Sequence, residues 1–122
     1  MSAPRKMPPK QLVRFFWSHN LWLGDNAKFD SPEECQEDDY CFACSWKFCT
    51  QRAHILPKCE GGSDKVENIH LLCYYCHKAS EHLSGAQYWE WFNRRSLRDV
   101  FSEAYISQHG VVAFLKGIMA SP

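Results

Sequence analysis

The chain carries no excess of charge of either sign and no long hydrophobic run. Its 122 residues hold 14 basic and 14 acidic side chains, so net charge supplies no general attraction to nucleic acid or to a membrane surface. The longest apolar run near the C-terminus, Val111 to Leu115, is five residues, against the roughly 20 that a membrane-spanning helix needs. There is no internal repeat and no low-complexity segment. The N-terminal residues are charged and proline-rich, but no hydrophobic stretch with a small-residue cleavage site follows them, so a secretory signal is not expected. The expected setting is intracellular (cytoplasmic, or nuclear in a eukaryote), with no membrane as partner.

What is present is more specific. An apolar content of 45% with 15% aromatics is enough for one domain with a core. Charge is unevenly placed: residues 1–14 hold Arg5, Lys6, Lys10 and Arg14 without an acid, whereas residues 25–39 hold seven acids against Lys28 alone. With Pro4, Pro8 and Pro9, residues 1–10 read as a flexible basic arm. The acidic stretch reads as a solvated loop, the alternative being a face that repels DNA.

Leu12, Phe15, Phe16 and Leu23 recur at helical spacing and predict an amphipathic helix from Gln11 to about Leu23, stopped by Gly24-Asp25-Asn26. Ser31-Pro32-Glu33-Glu34 can start one helical turn. Phe48 to Pro57 is strand-like, Glu60 to Asp64 is turn-rich, and Ile69 to Leu72 is a second short strand. A helix is expected from near Cys73 to about Leu83. Tyr88, Trp89, Trp91 and Phe92 then form an aromatic cluster, read as core, and Leu97, Val100, Phe101, Ala104 and Tyr105 continue the helical period. Gly110 separates these from a last helix over Val111 to Met119.

Seven cysteines, an odd number without an export signal, argue against a disulfide framework. Cys41-Phe42-Ala43-Cys44 and Cys73-Tyr74-Tyr75-Cys76 instead give two pairs at metal-knuckle spacing. Four soft thiolates suit a tetrahedral structural zinc; a redox pair or buried free thiols are the other readings of either pair alone. Cys35, Cys49 and Cys59 lack that spacing and read as packing or loop thiols. His19, His70 and His109 have no partner set and read as structural or exposed.

Between the pairs lie Arg52-Ala53-His54-Ile55-Leu56-Pro57, Gly61-Gly62 and Asn68-Ile69, and His77 directly follows Cys76. With Cys41 to Cys44, this text resembles the HNH endonucleases over about residues 41–77. The resemblance implies an α+β fold: a small zinc-stabilised ββα-metal (HNH, or His-Me finger) centre flanked by N- and C-terminal helices. The motif core would be residues 40–84, the helical flanks 11–24 and 86–119, and 11–122 one nuclease domain.

The resemblance further implies a metal-dependent endonuclease that hydrolyses DNA phosphodiester bonds, leaving a 5′-phosphate and a 3′-hydroxyl. His54 would activate water, as an imidazole with an ordinary pKa near about 6.5 can. Asn68 and His77 would hold Mg2+ or another divalent ion at the scissile phosphate, though in some members the Asn orients the loop or the base. Many members place an acid or a second His before the base, where this chain has Ala53. Waters and substrate phosphate can complete a magnesium shell, or Glu81, one helical turn past His77, can supply the ligand; His82 is less well aligned. The alternative function is an inactive zinc-stabilised module that binds nucleic acid or protein.

Arg52 lies on the same side of an extended strand as His54, either as a phosphate clamp or as a surface charge. Lys58, with Lys65 and Lys78, is a candidate contact to the nucleic-acid backbone. The expected partner is double-stranded DNA, with a homodimer if both strands are cut symmetrically.

Overall fold

The computed structural model of the chain describes residues 7–20, 29 and 33–109. Its elements are α1 (Lys10–Asn20), α2 (Glu34–Glu37), β1 (Gln51–His54), β2 (Ile69–Leu72), α3 (Tyr74–Ser80), α4 (Gly85–Arg94) and α5 (Leu97–His109), with 3-10 turns at Lys58–Glu60 and Val66–Asn68. β1 and β2 pair antiparallel, Gln51 opposite Leu72 and His54 opposite Ile69. The fold is thus α+β, a ββα centre between helical flanks. Among the described residues no helix is long and apolar enough to cross a membrane. The helix stop at Gly24, the proline of the acidic turn and the last expected helix lie outside the described residues.

Pro8 and Pro9 precede α1, where a missing N–H costs nothing, and the Pro9 carbonyl accepts from the amides of Leu12 and Val13 at 3.0 and 3.3 Å. The buried stripe of this helix is not the expected one. Leu12 and Phe15 are 53% and 54% exposed, whereas Val13 and Trp17 are fully covered and Phe16 packs beside them. The reason is the indole N–H, which needs an acceptor once buried. Trp17 Nε1 donates to the Ile69 carbonyl at 2.6 Å and to that of Val66 at 3.1 Å, which rotates the helix about its axis.

All four residues of β2 are buried. His70 sits among the rings of Trp17, Phe42, Tyr88, Trp89 and Phe92. Tyr88 and Phe92 are buried and Trp89 and Trp91 partly so, as the core reading of that cluster expects. The strand-like stretch over 48–57 narrows to β1, with Phe48 exposed and Pro57 opening a 3-10 turn.

The C-terminal helical pattern is interrupted at Arg95 and Ser96. Ser96 is the cap: its N–H and hydroxyl donate to Asp99 Oδ2 at 2.9 and 3.1 Å, and the Asp99 amide donates back to the Ser96 carbonyl. Ser-x-x-Asp is a capping-box pattern that the apolar period conceals.

The acidic stretch also differs from expectation at its end. Asp39 is no solvated charge; it accepts from Lys10, Arg14 and both the amide and the hydroxyl of Thr50. Burial opposes its ionisation, but these donors outweigh it and hold its pKa at about 2. Two of the cations expected in the basic N-terminal region are therefore engaged inside the fold.

Candidate metal centre and hydrolytic site

The first cysteine pair is presented by a tight reversal. The Cys41 amide donates to the Trp46 carbonyl at 2.9 Å and the Ser45 amide to the Cys41 carbonyl at 2.8 Å, with Ser45 at φ 62°. The second pair opens α3: Cys73 caps the helix and Cys76 lies one turn in, so both thiols share a face. The Phe42 amide ties the knuckle to the Leu71 carbonyl at 2.8 Å. As a result the four Sγ atoms of Cys41, Cys44, Cys73 and Cys76 lie within 4.8 Å of one another, all buried. Zinc with four Zn–S bonds of about 2.3 Å requires sulfurs about 3.8 Å apart, and Cys44 to Cys73 measures 3.9 Å. The donor set fits a zinc ion. Within this cluster, hydrogen bonds from Cys41, Cys44 and Cys76 pull the Cys73 thiol below its ordinary pKa, while contacts among the same cysteines push the Cys44 and Cys76 thiols up.

Arg95 completes the surroundings of this centre. Its side chain is 6% exposed, its Nε donates to Cys76 Sγ at 3.2 Å, and its two Nη atoms grip the Glu103 carboxylate. Four thiolates around one dication leave a net charge near −2, which a buried guanidinium offsets. Arg95→Gln is expected to release zinc to a competing chelator about 10- to 100-fold more readily. Chelator competition checks this, and unchanged retention would refute the role.

The hydrolytic candidates sit at the end of the hairpin. The Ile55 amide donates to the Asn68 carbonyl at 2.9 Å, so residues 54 and 68 flank the mouth of the connecting loop. His54 Nε2 lies 2.8 Å from Asp64 Oδ1, and Lys58 Nζ is 3.2 Å from Asp64 Oδ2. The His54 hydrogen bond, followed by Lys58, holds the Asp64 carboxyl below the usual carboxylate range. His54 is 22% exposed, and its Nδ1 meets no partner among the described residues.

Asn68 is used differently from the metal-ligand expectation. Its Oδ1 accepts from the Leu56 amide at 2.8 Å, and its Nδ2 donates to the Leu56 and Ser63 carbonyls at 3.0 and 2.8 Å. The carboxamide is a clamp across the loop, the orienting use of this residue. Gly62 belongs to the same clamp: a Cβ there would lie 1.8 Å from the Leu56 carbonyl oxygen.

Strand alternation separates two faces of β1. Ala53 is buried on the face of Gln51, and Gln51 Oε1 lies 2.6 Å from His77 Nδ1. Gln51, Tyr74, His77, Lys78 and Glu81 line a cleft of about 350 Å³, so Glu81 does share the face of His77. On the other face Arg52 Nη1 donates to the carbonyls of Met7 and Pro8, both at 3.2 Å. Arg52, read as a phosphate clamp or a surface charge, latches the N-terminal segment, and Lys58, a candidate contact to the nucleic-acid backbone, is paired with Asp64.

Residues 41–82 match the HNH endonuclease family model. The match takes in the four cysteines, His54, Asn68, His77 and Glu81, and leaves α1, α2, α4 and α5 outside. No curated protein and no solved structure matches the chain. The HNH match assigns the segment to a class of nuclease or nucleic-acid-binding domains.

Sequence reasoning missed three residues of the HNH surroundings: Asp64, Gln51 and Arg95. Asp64 has a faint signal, an acid two residues past the Gly-Gly pair. The other two act across elements and have none. Cys35, buried with its thiol pushed up to about 11 by burial, and the exposed Cys49 and Cys59 stand apart from the metal centre, as their spacing implies.

Proposed function

We propose that the chain is a metal-dependent endonuclease that hydrolyses DNA phosphodiester bonds, with a structural zinc on its four cysteines. The observation that carries this reading is the setting of His54 within the HNH segment. A half-buried imidazole stands at the loop mouth with one nitrogen engaged and the other available to a water. A nitrogen lone pair so placed can accept the proton of an attacking water. Asn68 keeps the loop mouth in shape. Gln51, by accepting the Nδ1–H of His77, leaves Nε2 as the atom that would hold a divalent ion. His77, with Glu81 on the same cleft, would hold a divalent ion, which would supply neutralisation of charge on the phosphoryl and leaving oxygens.

The test is supercoiled plasmid incubated with the protein and Mg2+ or Mn2+. The parent is expected to nick and linearise it, and His54→Ala to do so about 10²- to 10⁴-fold more slowly. Cleavage by His54→Ala at the parental rate would refute the assignment.

A second reading, a binding module that does not cut, is favoured by Ala53 in place of a donor. It is also favoured because, among the described residues, no group of three or more His, Cys, Asp or Glu ligand atoms other than the four cysteines comes together. Retention of plasmid DNA in a gel shift, with no cleavage in either metal, is its signature.

A further inference from the structure

We propose that Asp64 is a positioning residue for His54, an assignment that rests on the nuclease reading above. The 2.8 Å contact between His54 Nε2 and Asp64 Oδ1 has a definite chemical consequence. An ionised carboxylate is an acceptor only, so His54 must carry its proton on Nε2 and present a lone pair on Nδ1. Neutral imidazole otherwise exchanges between two tautomers, of which only one exposes a base at Nδ1. Asp64 thus selects the reactive tautomer and fixes the ring plane at once.

The surroundings keep Asp64 in the required state. Its second oxygen meets Lys58 Nζ at 3.2 Å, and its side chain is only 14% exposed. The loop that carries it is shaped by groups unconnected with acid–base chemistry. Asn68 Nδ2 binds the Ser63 carbonyl one residue before Asp64, and Gly62 admits the Leu56 carbonyl where a side chain would clash. The Lys65 amide, one residue after, donates to Ser63 Oγ at 3.3 Å. The carboxylate is thereby delivered from a folded loop to the end of β1.

During hydrolysis the water oxygen forms the new bond to phosphorus and its proton passes to His54 Nδ1. The bond from phosphorus to the leaving oxygen breaks with its electron pair, and that oxygen takes a proton from solvent. The resulting imidazolium carries N–H on both nitrogens, and its Nε2–H continues to donate to Asp64, whose negative charge stabilises the cation. The imidazolium then returns its proton to bulk water.

The test compares parent, Asp64→Asn, Asp64→Ala and His54→Ala as full-length, zinc-loaded proteins. Plasmid cleavage in Mg2+ or Mn2+ is measured as a function of pH, with ¹⁵N-histidine spectra of each. In the parent His54 is expected as the Nε2-protonated tautomer. Both Asp64 variants are expected to cleave about 100-fold or more slowly, with zinc content and circular dichroism unchanged. In Asp64→Ala the His54 signals should move toward a tautomer mixture. Parental cleavage with altered spectra would overturn the catalytic role; parental cleavage with parental spectra would overturn the contact as well. If the parent cuts nothing, the nuclease reading falls and the catalytic role with it, while the spectra still report whether Asp64 sets the tautomer.

Discussion

Removal of the metal from the four-cysteine centre is expected to unfold the domain. Its ββα centre has two four-residue strands and a seven-residue helix, too little to be stable alone in water. Besides the sulfurs, the knuckle is tied to β2 by the Phe42–Leu71 backbone bond and the packing of Phe42 on His70. Structural zinc contributes about 10–16 kcal/mol apparent in small domains, comparable to the whole stability of about 5–15 kcal/mol usual for a protein. The loss should not stay local, because α1 hangs on the carbonyls of Val66 and Ile69 through Trp17. Strong chelation, or Cys73→Ser, should abolish helical circular dichroism and the cooperative melt together. Mild EDTA should stop plasmid cleavage earlier, since oxygen- and nitrogen-rich sites hold divalent ions more weakly than four thiolates. A chelated, zinc-free protein that still melts cooperatively would contradict the argument.

The second large effect is acid destabilisation centred on His70. Its ring is fully buried, with Nδ1 2.5 Å from the Tyr88 hydroxyl and Nε2 without a partner among the described residues. Burial among aromatic rings penalises the imidazolium and depresses the pKa to about 3. The unfolded chain binds this proton near about 6.5 and the folded chain only near 3, so U holds more protons across that window. Stability is therefore fully present above about pH 6.5 and falls as the solution is acidified. The slope is about 1.4 kcal/mol per pH unit, so about 3 kcal/mol is lost by pH 4. Below that, Asp39 begins to lose its donors' support as pH drops from about 4 toward 2, adding about 1–2 kcal/mol after solvent screening. Urea melts of parent and His70→Asn between pH 7 and pH 5 isolate the histidine as a difference of slopes. The variant should be less stable at pH 7 but flatter with pH; equal slopes would refute the assignment.

The cysteine spacing, the strand containing His54, and the helix after Cys73 were legible because each is a local pattern with a chemical requirement. A pair of thiols two residues apart must turn about a shared ligand, and an apolar tetrapeptide such as Ile69–Leu72 must be covered. The stripe of α1 was misjudged because hydropathy counts Phe15 and Leu12 above a tryptophan whose N–H decides the rotation. The break at Ser96 was hidden under an unbroken apolar period. Asp39, Asp64 and Arg95 were scarcely legible for one reason: charged side chains read as solvated by default, and only the contacts of the folded chain reveal a covered pairing. Asn68 was legible as important, yet the pattern could not say whether its carboxamide faces an ion or the loop.

The indole of Trp17 has a practical consequence for transplanting this motif. The stretch that carries the cysteines and histidines is not a self-sufficient cassette, since two backbone oxygens at the entrance to β2 are capped from a helix more than 20 residues upstream of Cys41. Any chimera built by grafting residues 41–82 alone would expose those acceptors and strip the cover from the adjoining ring cluster. A portable version has to bring the tryptophan-bearing turn along with it.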